Sequence, residues 1–428
     1  MEKIIKNNAK LYMTWLIMIV LISISVITTK FLAVVALALF VVYAVSSPIS
    51  SSCVLLLGLM PFANIFKYQA GTTSFFTMCE LLVVVLAVFR YRKIKVRFLA
   101  AIFMLAVYVI VTSVKAFNAL LIIKLIAGFC FIYFLSCNVK KEDVINIAYL
   151  LAISTILMLL LSMNDQYFRY IEPYLLDLNY LIGSSGQRLN TMRLGGFLGD
   201  PNYCGILIIM SVALLCVLYY HRSIGAEFWV FIAFLTPLGF FTYSKSYFLC
   251  MTVLALFVIV FVLMPKHRGW AILSLLIVAG AVILTLGGKI EVINVIVERF
   301  QNGDLTTGRM ALNKYYLNYI WDNPSVLLFG EGIAMSNIPG MTNTVHCVYI
   351  EGLYKLGILG CALYLYALSA SVSHMRPCVV KRKIVDNIPL LFLLVMYSAL
   401  EGLTLYEFPF YLAVAFLARN FYMLDQRG

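Results

Sequence analysis

Charge is scarce in this chain. Asp, Glu, Lys and Arg make up 12% of its 428 residues, where a soluble domain carries about a quarter. Hydrophobic residues make up 63%, which excludes a soluble globular domain. Closed barrels also span membranes, but with strands of about ten residues that alternate in polarity, and the apolar runs here are longer and continuous. Cysteine pairs are lacking too: the ten cysteines are scattered, mostly inside apolar runs, with no C-x-x-C. That excludes a disulfide framework or a zinc site and reads them as small packing residues. No GxxxxGK(S/T) loop, GxGxxG turn or D-x-D acidic pair occurs, so no nucleotide or nucleotide sugar is provided for. Nor is a cleavable signal peptide expected. The basic stretch Met1 to Lys10 leads into a long apolar run without a small-residue cleavage pattern, which reads as the first membrane helix.

What the chain does have is apolar runs, at 12–29, 31–45, 52–66, 75–89, 98–114, 119–135, 144–162, 203–220, 226–242, 247–264, 270–286, 348–372, 387–404 and 406–420. The length rule turns these into about twelve to fourteen crossings. The predicted fold is an all-α polytopic membrane protein with a large extracytoplasmic loop. Charge then orients it. With the N-terminus inside, the cytoplasmic segments hold nineteen Lys and Arg against six acids, while the opposite side holds eleven of each. The net charge of +13 is therefore a positive-inside signal, and nucleic acid drops out as a partner. Both termini are expected in the cytoplasm. The expected organisation is N-terminal helices over 1–162, an extracytoplasmic loop over 163–202, central helices over 203–286, a large loop over 287–345 and C-terminal helices over 346–428.

Chemistry is expected on the extracytoplasmic side, where the long connections lie. Asp200 sits where an N-cap belongs and Pro201 at the first helical position. The preceding Arg193-Leu-Gly-Gly brings a fixed cation to that helix start, a poor place for stability and a good one for holding an anion. In the large loop, Leu312, Tyr315, Tyr316, Tyr319 and Ile320 keep helical spacing. Thr306 or Thr307 would cap this amphipathic helix, Asn323-Pro324 would end it, and Arg309 falls in its first turn. Lys245 lies between two spans. His346 opens the span after the large loop, alone among the four histidines in reaching this side, and its near-neutral pKa type suits proton abstraction from a hydroxyl. Taken singly, each cation is equally a snorkelling residue or a headgroup contact. Glu351 and Lys355 are spaced to pair on one helix face, and Glu80 and Lys124 are a second candidate pair between helices.

In order, the motifs are Arg193-x-x-Gly196-x-x-x-Asp200-Pro-Asn202, Thr242-x-Ser244-Lys245-Ser246, Thr307-Gly308-Arg309 with Trp321 downstream, and His346-x-x-Tyr349 followed by Gly357-Ile-Leu-Gly360. Together they resemble the O-antigen ligase and repeat-unit polymerase superfamily of bacterial envelope glycan assembly. Two positions depart from that pattern: Lys245 stands where the family usually has arginine, keeping charge but losing bidentate geometry, and Cys347 stands where it usually has asparagine.

The resemblance implies a GT-C-like glycosyltransferase of the bacterial inner membrane that needs no metal or other cofactor. Its donor would be an undecaprenyl-diphosphate-linked sugar, its acceptor another lipid-linked oligosaccharide, and its neighbours membrane lipids, a chain-length regulator and a flippase. By the same analogy Arg193 and Arg309 hold the diphosphate with Lys245 assisting, and His346 positions or deprotonates the acceptor hydroxyl. Asp200 and Asn202 order the loop or contact sugar, and Ser244, Gly308 and Tyr349 line the substrate. The reading is a polymerase of lipid-linked repeats for capsule, exopolysaccharide or O-antigen. A ligase acting on lipid A core is the alternative. A lipid-linked oligosaccharide flippase is the rival from another class; its path would use Lys124 or Glu351–Lys355, but the chain shows no internal repeat of the kind many transporters carry.

Overall fold

The computed structural model describes residues 8–69, 71–91, 94–175, 194–259, 309–341, 343–373, 384–398 and 407–424. Arg193, Thr306 to Gly308 and the expected span at 270–286 lie outside them. The described residues are helical, with no strand among them. The first half of the chain runs α1 Ala9–Ile27, α2 Phe31–Ser46, α3 Ile49–Leu59, α4 Phe75–Arg90, α5 Val96–Thr112, α6 Ala119–Asn138, α7 Lys141–Ser162 and the short α8 Asp165–Ile171. Then follow α9 Pro201–Tyr220, α10 Glu227–Phe240, α11 Lys245–Phe257, α12 Arg309–Asp322, α13 Pro324–Phe329, α14 Val348–Ser371, α15 Ile388–Tyr397, α16 Glu407–Arg419 and the one-turn α17 Phe421–Leu424. Five of these (α1, α6, α7, α9 and α14) are long and apolar enough to cross a membrane, and further apolar helices are shorter. The chain is an all-α, multi-pass membrane protein.

α9 is the axis of the bundle. Its residues from Cys204 to Leu218 are buried without a break, as expected of a helix that is apolar all round. It packs on α7, α10, α11, α15 and α16. At one end of the bundle stand Asp200 and Lys245; at the other, His221 Nε2 lies 2.6 Å from Asp386 Oδ1. Six of the described basic residues, Lys10, Arg90, Lys95, Arg97, Lys140 and Lys141, fall at helix ends on the His221 side. There Arg90 donates to the Val45 and Ser47 carbonyls, and Arg97 lies 5.3 Å from the Tyr366 ring.

A second, smaller core joins α12, α13 and the start of α14 into a cap. It contains Tyr316, Ile320, Val326, Ile338, Val345, Cys347 and Tyr354. The helical spacing read from Leu312, Tyr316, Tyr319 and Ile320 is therefore real, and α12 ends before Asn323-Pro324 as expected. Tyr315, in contrast, points outward and is exposed.

α14 is not one straight helix. Gly357, at φ 63° and ψ −178°, breaks it, which a reading of Gly357-Ile-Leu-Gly360 as ordinary helix does not foresee. A break strands the carbonyls of the turn before it, and here partners outside the helix take them up. Glu331 N donates to Tyr354 O (2.8 Å) and Gly332 N to Lys355 O (3.1 Å). The Tyr108 hydroxyl on α5 lies 2.7 Å from Leu356 O and 2.9 Å from Phe329 O. Glu331 also receives Lys115 Nζ at 2.8 Å and the Tyr319 hydroxyl at 3.3 Å. Burial, and then the Glu331 carboxylate, push the Tyr319 hydroxyl above its ordinary value, so it remains a donor at neutral pH. The cap is thus fastened to α5 and α14 at one crossing point. Just before the break, Lys355 Nζ meets Glu351 Oε1 at 2.6 Å with both side chains buried, the pairing expected from their spacing. Glu80 is buried on α4 and is influenced electrostatically by Lys124 on α6; no ion pair joins them.

Candidate functional site

The local structure around residue 200 follows from its residue types. Asp200 Oδ1 accepts from Asn202 N at 2.6 Å and Tyr203 N at 3.4 Å, and Pro201 occupies the first position of α9. Both orphan N–H groups are satisfied by the capping residue that the sequence supplies. The glycines before it are equally specific, since Gly196 and Gly199 have positive φ (58° and 79°).

A second turn is built against the first. α10 ends at Phe240, Tyr243 takes a left-handed conformation (φ 46°), and α11 begins at once with Ser244 as its N-cap. The Ser244 hydroxyl accepts from Tyr247 N at 3.3 Å and donates to Asn202 Oδ1 at 2.8 Å. Leu194 N donates to Phe241 O at 2.9 Å. Two motifs some forty residues apart are thereby stitched together by a buried hydroxyl–amide contact and a backbone bond. Tyr247 completes the joint. Its ring fills the space left by Gly239 and lies against Gly205, where an added Cβ would meet its own Cβ at 3.0 Å. Loss of this joint is measurable. Ser244→Ala removes an N-cap, worth about 1 kcal/mol, and leaves the buried Asn202 carbonyl oxygen without its donor, worth about 1–3 kcal/mol. A fall of roughly 2–4 kcal/mol in stability is expected, seen as a lowered thermal midpoint in detergent; an unchanged midpoint would mean the joint is not made.

Lys245 is the first residue of α11, Arg309 the first of α12, and His346 lies two residues before α14; all three are half-buried. Lys245 and Arg309 therefore each stand at a helix start, where the macrodipole disfavours a cation unless an anion joins it. Arg309 and His346 belong to the cap. The Tyr316 hydroxyl of α12 donates to Asn343 O at 3.1 Å, and its ring packs edge-on to Tyr354 at 5.3 Å. Asp200, Asn202, Ser244 and Lys245 belong to the bundle. The link between the two is α15, which packs on α9 and α11 and receives the Tyr349 hydroxyl at Leu394 O, 2.6 Å. That bond gives Tyr349 a positioning contact on α15. Trp321 is exposed, as suits an aromatic residue at a membrane surface.

Sequence reasoning missed the Asn202–Ser244 contact, the break at Gly357 and the Lys115–Glu331–Tyr319 cluster. The glycines at 330 and 357 were the available signal for the break. Nothing in the sequence pairs Lys115 with Glu331.

The architecture defines a multi-pass helical membrane protein whose turns at Asp200 and Ser244 are joined at one end of the bundle. Residues 230–365 match the family model described as O-Antigen ligase. That segment, which holds Ser244, Lys245, Arg309, His346 and Tyr349, carries the similarity, and it is consistent with the O-antigen ligase and polymerase superfamily. The matched family implies a membrane enzyme with glycosyltransferase-like activity, of the ligase or polymerase kind. No curated protein and no solved structure matches the chain.

Proposed function

We propose that this protein polymerises lipid-diphosphate-linked oligosaccharide repeats at the outer leaflet of the bacterial cytoplasmic membrane, with both termini inside. What supports the reading is the joining of the turns at Asp200–Asn202 and Ser244–Lys245 at one bundle end, with Arg309 at the start of the next described helix in the matched segment. A diphosphate leaving group needs positive charge as the glycosidic bond breaks, and fixed cations with helix N-termini supply it. In this reading Arg309 and Lys245 grip the diphosphate together with Arg193. His346 takes the proton of the acceptor hydroxyl as that oxygen attacks the anomeric carbon, and the lipid diphosphate departs with the bonding pair. Asp200, Asn202 and Ser244 hold the floor of the site in place, and Gly308 and Tyr349 flank the substrate.

The ligase alternative has an observation of its own in its favour, the description of the matching family model. One experiment separates the readings. Purified protein is given a lipid-linked oligosaccharide in chelator and without nucleotide, with either a second lipid-linked unit or a lipid A core as acceptor. Lengthening of the lipid-linked chain supports the polymerase. Transfer to lipid A core alone makes it a ligase, and no transfer to either removes the enzyme reading.

A further inference from the structure

A groove of about 540 Å³ opens where α1, α7 and α8 meet, at the same end of the bundle as Asp200 and Lys245. Its walls are Ile27, Leu157, Leu160 and Leu161, and its rim carries Asn164, Gln166 and Tyr170. Ile27, Leu160 and Tyr170 are exposed. The groove is a fixed feature. Tyr167, which also lines it, donates its hydroxyl to Ser23 O at 3.0 Å and sets its ring 6.1 Å from that of Phe197, so α8 is tied both to α1 and to the segment leading into α9. An apolar trough with an amide-and-tyrosine rim at a bundle end has the polarity profile of the boundary between acyl chains and headgroups.

Charge distinguishes this trough from ordinary lipid-facing surface. One turn beyond Ile27 comes Lys30, and one turn beyond Tyr170 comes Tyr174. The Lys30 ammonium lies 4.4 Å from the Tyr174 ring centroid, so the two segments leaving the groove meet through a cation. Burial lowers the proton affinity of Lys30 below the ordinary lysine value, and no carboxylate contributes, neither Asp165 nor Glu172. Buried Lys67 brings a second cation, its Nζ 3.3 Å from Tyr174 O. The Tyr174 hydroxyl is itself buried with no hydrogen-bond partner among the described residues. α2 begins directly after Lys30 with no acid in its first turn and no side-chain cap, adding the positive end of its dipole.

We propose that this groove is a docking site for an anionic phospholipid of the surrounding leaflet, its acyl chain along Ile27, Leu157 and Leu160 and its phosphate at Lys30 and the start of α2. A neutral phospholipid fills the trough equally well but gains nothing from the lysine. The site stands apart from the glycan chemistry and holds whether or not the polymerase reading does.

The test uses full-length protein in nanodiscs with a Tyr170→Trp reporter at the rim, quenched by lipids brominated on the acyl chain. Quenching of the parent chain, titrated identically, is subtracted. Brominated phosphatidylglycerol is expected to quench at about one-fifth the mole fraction that brominated phosphatidylcholine requires, the preference one lysine gives for an anionic headgroup. Lys30→Gln should sharply reduce that preference, and Lys30→Arg should retain it. Equal quenching by the two headgroups, an undiminished preference in Lys30→Gln, or a brominated polyprenyl phosphate outcompeting phosphatidylglycerol would each overturn the assignment.

Discussion

Arg309→Ala is expected to lower the rate of glycan transfer by about 10²–10³, the usual cost of removing one charge-stabilising donor from an active centre. Protein level and membrane insertion should be unaffected. The second expectation follows from where α12 makes its contacts. Its hold on the cap comes from Tyr316 and Ile320, which lie two and three turns beyond Arg309, so truncation at 309 removes charge and little packing. Arg309→Lys keeps the charge without the planar fork and should fall between the two. His346→Ala tests the other half of the chemistry, since a positioned general base contributes about 10²–10⁴ in rate. In cells both variants should accumulate single repeat units on lipid at the outer leaflet, which labelling of lipid-linked glycans on spheroplasts would detect. Accumulation on the cytoplasmic leaflet would favour the flippase, and undiminished chain lengthening in Arg309→Ala would remove the arginine from the mechanism.

Gly357→Ala should be the most damaging single substitution outside the site. The backbone there, φ 63° and ψ −178°, belongs to a region that is essentially glycine's alone, and another residue held there costs about 1–3 kcal/mol. Packing adds to this, because a Cβ at 357 would lie 2.5 Å from the Leu328 carbonyl carbon and oxygen and 2.6 Å from Gly330 N. Those neighbours are backbone and have no rotamer to yield. Relieving the clash means lifting the 330–332 segment off α14, which forfeits the bonds from Glu331 N and Gly332 N. We expect little monodisperse protein in detergent and a much lower thermal midpoint for what is recovered. A parent-like midpoint would show that α14 is unbroken.

These two sites differ in how far the sequence reveals them. The helices were readable because apolar runs long enough to cross a bilayer have few alternatives, and the described helices fall within a few residues of the expected runs. Asp200 and Pro201 were readable because capping is local, with donor and acceptor two or three residues apart. The Glu351–Lys355 pair was readable for the same reason. The break at Gly357 was harder, since a glycine pair in an apolar run is compatible with a straight helix; what decides it is the segment at 330–332 crossing there. The Lys115–Glu331 contact and the Asn202–Ser244 bond were illegible, because each joins residues far apart in the chain and nothing in periodicity or composition selects such partners. The site residues themselves came from ordered motifs, which fix identity and sequence but say nothing of which helix end stands beside which.

The bonds from Leu194 to Phe241 and from Ser244 to Asn202 bear on how the protein can be re-engineered. The family-matched stretch begins at 230, so a chimera cut there would import one half of each contact and keep the host's version of the other. Recombination of this protein with a relative to change glycan preference should place its crossover upstream of residue 194, so that both turns travel as one inherited module.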